Sequence, residues 1–299
     1  MEQAAADAPR WRVWLMAARP RTLPAAVSPV LVGMALAAAD GKLNALPSLA
    51  ALAGALLIQV GANLANDYYD FVQGTDAAGR KGPLRVAQSG LIPLPQLRLG
   101  IALTFGLATL VGLYLVWVGG WPILILGLAS ILSALAYTAG PYPLGYHGLG
   151  DLFVFLFFGL GAVCGTYYLQ ALTVTPGVVV AAIPVGALTV AILVVNNLRD
   201  IDTDRQGGKR TLAVLLGETG SRLEYALLLV LAYAVPLLMW LSGATSPWVL
   251  ISWLTLPLSV RLLRTIYSGT EGPRLNMTLA ATANLDLAFS LLFALGLVL

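Results

Sequence analysis

Apolar residues in this chain fall into nine stretches, near 22–39, 47–66, 97–117, 121–139, 149–172, 177–197, 223–242, 246–266 and 277–298. Each is close to the ~17 to 25 residues a helix needs to cross a hydrocarbon core. No water reaches backbone groups there, so the options narrow to helices or a closed barrel, and continuous apolar runs of this length are helical. Composition agrees, with 59% hydrophobic and only 10% charged residues, against about 25% charged in soluble domains. The expected architecture is all-α: a polytopic membrane protein with nine transmembrane helices in a single bundle, forming one domain over 22–299. Glycine and proline inside several runs predict bent spans.

The basic residues test this count independently, because loops retained in the cytoplasm collect Lys and Arg. With nine spans, sixteen of the seventeen basic residues fall on one side and only Lys42 on the other. The amino terminus is therefore expected in the cytoplasm and the carboxyl terminus outside, as in a bacterial-type inner-membrane protein. Residues 1–21 carry Trp11 and Trp14 among arginines, the pattern of a short interfacial helix on an anionic leaflet. The net charge of +3 follows from the basic loops and implies no nucleic-acid partner. The single cysteine, Cys164, excludes a disulfide framework and a thiolate metal site.

Against this apolar background, acids cluster at the ends of two segments: Asp67, Asp70 and Asp76 with Asn63 and Asn66, and Asp200, Asp202 and Asp204 with Asn197. Each cluster is followed within about ten residues by a basic pair, Arg80-Lys81 and Lys209-Arg210. Asn63, Asn66, Asp67 and Asp70 are spaced i, i+3, i+4 and i+7, one stripe of a helix. Asn197, Asp200 and Asp204 share a stripe if their helix continues, while Asp202 points away, and Gly207-Gly208 should end that helix. Both clusters fall on the cytoplasmic side. Oxygen donors without nearby Cys or His select a hard cation, Mg²⁺ above all, which is usually held by one or two carboxylates plus substrate phosphate. The competing reading is plain salt bridging to Arg80, Lys81, Arg199 and Lys209 in a solvated loop.

At these residues the chain resembles the UbiA-type intramembrane prenyltransferases. The similar segments are NLANDYYDFVQGTD from Asn63 and NNLRDIDTDRQGGKRTLAVLLG from Asn196, joined by ARPRTLPAAVSPVLVG from Ala18 and GPYPLGYHGLGDLFVFLFFG from Gly140. Within the family they most resemble the branch acting on 1,4-dihydroxy-2-naphthoate. The resemblance implies a central cavity open to the cytoplasm and Mg²⁺-dependent transfer of a polyprenyl chain from its diphosphate to that naphthoate, with decarboxylation, giving demethylmenaquinone. Asp67, Asp70, Asp76, Asp200 and Asp204 would hold metal, with Asn63, Asn66 and Asn197 as neutral donors. Lys81, Arg85, Lys209 and Arg210 would clamp diphosphate, and Tyr68, Tyr137 and Phe157 would shield an allylic cation. The alternatives are another acceptor, such as 4-hydroxybenzoate or homogentisate, and a Mg²⁺ or organic-anion transporter.

Two departures from the family pattern stand out. The last acid of the first motif is expected at position 74, where this chain has Gly74, and Asp76 comes two residues late. A family Tyr-x-x-x-Lys pattern reads here as Tyr142 to Tyr146, without the lysine. Asp151 is a candidate base or orienter for the acceptor, or an ordinary helix amino-terminal acid. Arg21 is a candidate for binding a carboxylate or a simple topology anchor. His147 reads as a solvated loop residue, and Asp286 in the last span as a polar helix contact.

Overall fold

The computed structural model describes residues 9–75, 82, 84–269 and 272–299, the side chains of 272 and 273 excepted. Asp76, Arg80 and Lys81 lie outside the described residues. Every regular element among the described residues is helical.

The interfacial segment forms α1 (Arg10–Ala18), which buries Val13 and Ala17 and leaves Trp11 and Leu15 exposed. The chain turns at Arg19 in a left-handed conformation (φ 52°), passes through a short 3₁₀ turn at Pro20–Thr22 and enters α2 (Pro24–Ala39) at a 54° bend. There follow α3 (Ala45–Val72), α4 (Leu94–Gly119), α5 (Trp121–Ala136), α6 (Gly150–Ala171) and α7 (Pro176–Arg199). A short α8 (Ile201–Gln206) leads to α9 (Leu212–Leu241), α10 (Pro247–Ser268) and α11 (Gly272–Val298).

Seven of these helices are long and apolar enough to cross a membrane, and the bent segment from Arg10 to Ala39 makes an eighth if taken as one span. The fourth expected span, α5, has 16 residues, about 24 Å at 1.5 Å per residue, a little short of a ~30 Å core.

The central helix is α7, whose apolar window is 78% buried. Small residues let its neighbours approach. A Cβ on Gly159 of α6 would come within 2.7 Å of the Gly186 Cα on α7, so the two backbones meet where neither has a side chain. Here α6 widens into a π-helical stretch, Phe155–Gly161. Likewise Gly33 of α2 sits 2.7 Å from the Val163 carbonyl oxygen by the same measure.

Helix α3 outlasts its apolar run by about one and a half turns, carrying the first acid cluster beyond the spanning segment. Helix α7 stops at Arg199, Asp200 takes up a non-helical conformation, and α8 restarts the chain to present Asp204. Gln206 ends α8 ahead of Gly207-Gly208, with Gly208 at φ 76°.

Candidate active site

The ends of α3 and α7 meet around a polar chamber of about 80 Å³ lined by Asn66, Asp70, Asn197, Asp200 and Asp204 together with Arg85 and Lys209. The two acid clusters, some 130 residues apart in sequence, thus face one space. Next to it lies an apolar chamber of about 400 Å³ between α2 and α7, with Pro29, Ile58, Leu126, Phe157 and Ile192 in its wall. Arg19, Asn66, Tyr137 and Asn196 line both chambers.

Asp70 is engaged by the side chains of Arg85, Lys209 and Tyr146. Arg85 Nη2 donates to its Oδ2 at 2.6 Å, Lys209 Nζ to its Oδ1 at 2.8 Å, and the Tyr146 hydroxyl also donates to Oδ1. Burial beside this carboxylate pushes the Tyr146 phenol well above its ordinary value, so it remains a proton donor. Lys209 also sits 4.7 Å over the Tyr146 ring. Tyr146, which stands where the Tyr-x-x-x-Lys pattern has its lysine, thus lies beneath an ammonium arriving from beyond α8.

The single helical stripe of the first cluster divides by partner. Asn66 accepts from the Thr138 hydroxyl at 2.6 Å and faces the chambers. Asn63 instead donates to the Ala18 carbonyl and the Thr22 hydroxyl, each at 3.0 Å, tying the amino-terminal turn to α3. Asp67 is outside the polar chamber: its two oxygens accept from the backbone N–H groups of Val86 and Ala87 at 3.1 and 3.3 Å. These bonds hold the segment that carries Arg85, whose Nη1 also donates to the Asn66 carbonyl at 2.8 Å.

In the second cluster, Arg199 grips Asp200 through Nε at 2.9 Å and Nη2 at 2.6 Å, and donates to Asn196 and to Asn276 at the start of α11. The salt-bridge reading is thus realised for Asp70 and Asp200. Asp204 has no ion pair among the described residues. Burial raises its pKa to about 7, with Asp200 and Asp70 adding to the rise and Lys209 and Arg85 opposing it. Asp202 is exposed, on the side away from the chamber.

Several expected site residues lie elsewhere. Arg21 is exposed, and it is Arg19 that turns inward through its left-handed backbone. Tyr142 is 58% exposed and stacks on His147 at 3.6 Å, outside both chambers. Arg210 is exposed and reaches the site only through its backbone N–H, which donates to the Tyr146 carbonyl. Asp151 is buried at the start of α6, without a hydrogen-bond partner for either oxygen, and lines neither chamber. Asp286 is fully buried and also lines neither. Sequence reading passed over Arg19, Thr138, Tyr146 and Asn196 as chamber residues. Arg19, Tyr146 and Asn196 lie in the segments that resemble the family, whereas Thr138 lies outside them.

Residues 26–285 match the model of the UbiA prenyltransferase family. The chain belongs to that family. Among curated members of the UbiA family it is 40% identical to the 1,4-dihydroxy-2-naphthoate octaprenyltransferase of Escherichia coli, across 97% of this chain and 96% of that one. With the Bacillus subtilis protein of the same description it shares 32% identity across 94% and 90%. The fold matches a UbiA homolog from Aeropyrum pernix with a TM-score of 0.68, covering 89% of this chain and 94% of that one at 16% identity. A UbiA homolog from Archaeoglobus fulgidus, solved with DMAPP and Mg²⁺, superposes with a TM-score of 0.67 over 93% and 97% at 14% identity.

Proposed function

We propose that this chain transfers a polyprenyl group from its diphosphate to 1,4-dihydroxy-2-naphthoate, releasing diphosphate and carbon dioxide and giving demethylmenaquinol, the hydroquinone form of demethylmenaquinone. The observation that carries this reading is the shared wall between the chambers. Arg19, Asn66, Tyr137 and Asn196 place a cation-lined polar pocket against an apolar one, as a molecule with a charged head and a hydrocarbon tail requires. Near-full-length similarity to naphthoate prenyltransferases supports the acceptor.

The donor set fits Mg²⁺. Among the described residues no three His, Cys, Asp or Glu side chains converge tightly enough to hold an ion alone, which suits a metal bound by one or two carboxylates and completed by substrate phosphate. Asp70, Asp200 and Asp204 line the chamber and would supply those one or two carboxylates, with the amides of Asn66 and Asn197 lining the same space. When bound, the ion supplies Lewis-acid stabilisation of charge on the diphosphate oxygens.

Arg85, Lys209 and Arg19 bind the departing diphosphate, the arginines through forked contacts. As the allylic C–O bond breaks, its electron pair leaves with diphosphate. The apolar chamber keeps water from the carbon centre, and the ring faces of Tyr137 and Phe157 offer negative charge to it. The new C–C bond forms at the ring carbon bearing the carboxylate, and loss of carbon dioxide restores the aromatic ring.

Incubation of membranes containing the protein with farnesyl or longer diphosphates, Mg²⁺ and a panel of aromatic acids is expected to prenylate the dihydroxynaphthoate alone. Product with 4-hydroxybenzoate or homogentisate instead would move the acceptor, and absence of any product would favour the transporter reading.

The raised pKa of Asp204 predicts a pH signature. Metal binding requires the deprotonated carboxylate, so below pH ~7 the proton competes with Mg²⁺. The half-saturating Mg²⁺ concentration should fall up to ~tenfold per pH unit on raising pH from 5.5 toward 7, and level off above. A flat profile over that range, with the Mg²⁺ titration read by thermal shift, counts against Asp204 as a ligand.

We further read nine spans, with α5 crossing as a short helix, α1 (Arg10–Ala18) lying along the interface and the site facing the cytoplasm in a bacterial-type inner membrane. In a Cys164→Ser background, an impermeant thiol reagent added outside intact cells should label Ala244→Cys and spare Asp76→Cys; the reverse pattern inverts the topology.

A further inference from the structure

Helix α10 carries a polarity boundary on a single open stripe. Leu256, Pro257 and Val260 form its apolar end, and Arg261 and Arg264, spaced i and i+3, form its basic end. The stripe is concave and solvent-accessible: Pro257, Val260 and both arginines are exposed. Neither guanidinium has an acidic partner among the described residues, whereas Arg85, Arg199, Arg222 and Lys209 are all in ion pairs. The neighbouring hydroxyls are already spent, since Thr265 donates to the Arg261 carbonyl at 2.9 Å and Ser268 to the Thr265 carbonyl at 3.0 Å. The donors offered outward are therefore two guanidinium forks.

Their depth can be placed from the fold. Just beyond α10, Asn276 at the start of α11 accepts a hydrogen bond from Arg199 at 3.0 Å, beside the polar chamber. The basic end of the stripe therefore lies on the same membrane face as the chamber, and the apolar end runs toward the bilayer interior. Hydrocarbon below and an unneutralised pair of forks at headgroup level complement a single kind of neighbour in that position.

We propose that this stripe is a binding site for one anionic phospholipid, its phosphate held between Arg261 and Arg264 and an acyl chain laid along Leu256, Pro257 and Val260. Guanidinium forks match phosphate oxygens bidentately, and each basic residue near an anionic headgroup contributes about fivefold in affinity. The site is separate from the chambers, since none of its residues lines either.

The test is native mass spectrometry of the full-length protein in detergent, titrated with phosphatidylglycerol or phosphatidylcholine. Wild type should retain one phosphatidylglycerol in preference to phosphatidylcholine. Arg261→Gln with Arg264→Gln should weaken that retention by roughly 25-fold, while Arg261→Lys with Arg264→Lys keeps most of it. Should the double glutamine variant prove unstable, Val260→Glu gives a second reading, because an acid one turn before Arg264 neutralises it. Equal retention of the two lipids by wild type, or unchanged phosphatidylglycerol binding in these variants, overturns the proposal. So does release of the lipid by millimolar inorganic pyrophosphate, which would assign the arginines to a free phosphate ligand.

Discussion

Asp70→Asn should lower prenyl transfer by at least ~10²- to 10³-fold, the range expected when a preorganised electrostatic element of a reacting site is removed. Arg85 at 2.6 Å, Lys209 at 2.8 Å and the Tyr146 hydroxyl all converge on this carboxylate. Two consequences of the substitution must be separated. Chemically, a neutral amide offers the metal one weak oxygen in place of a carboxylate. Structurally, it removes a carboxylate paired with two buried cations, and breaking a buried pair from one side costs about 3 to 5 kcal/mol. The amide can still accept from one of the cations, so the actual loss should sit at the lower end. Thermal unfolding in detergent, measured beside turnover, distinguishes the two. A folded variant with activity lost places Asp70 in the chemistry. A variant that turns over within tenfold of wild type takes it out of the metal shell, leaving it as an anchor for Arg85 and Lys209.

The fold was largely readable because the membrane limits the choices. The apolar runs set where helices form, and the helices observed follow those runs to within a few residues except where tertiary structure adds to them. Helix α3 extends to Val72 because Asp67 and Asp70 find partners past the membrane edge. Ahead of the apolar core of α9, Thr211 caps a short turn from Leu212 by accepting from Val214 N–H at 3.3 Å, and Gly217 (φ 70°) breaks that turn from the long helix that follows.

The site was readable as a meeting of two clusters, but not in which face each residue presents. Arg19 and Arg21 are equivalent in sequence, and a left-handed residue at 19 sends one inward and the other to the surface. Tyr142 and Tyr146 are separated by a loop whose turns at Gly140 (φ 88°) and Gly148 (φ 72°) select which phenol reaches Asp70. Asp67 and Asp70 share a helical stripe, yet a backbone segment from 86 to 87 takes Asp67 for itself. Helical spacing fixes direction to within tens of degrees. Partners supplied by distant loops decide the rest.

Lys209→Met should produce changes that a simple salt-bridge role would not. The substitution keeps chain length and removes a buried ammonium that touches Asp70 at 2.8 Å and covers the Tyr146 ring at 4.7 Å. If Lys209 binds diphosphate, losing a charged hydrogen bond of about 1.5 to 3 kcal/mol should raise the KM for the prenyl diphosphate by roughly 10- to 100-fold. The acceptor KM should stay close to wild type. The same ammonium also holds down the pKa of Asp204, which even in its presence stands at about 7 under burial and the adjacent acids. Without it Asp204 keeps its proton to higher pH, so the midpoint of Mg²⁺ binding should move in the alkaline direction. Arg210→Gln, at an exposed side chain next in sequence, serves as the control and should shift neither quantity. A Lys209→Met protein that melts earlier but retains its diphosphate KM and its pH midpoint would reduce Lys209 to a structural counter-ion of Asp70. A rise in KM together with the alkaline shift requires the ammonium to act on the diphosphate and the acids at once, as its pairing with Asp70 in the chamber that Asp204 also lines allows.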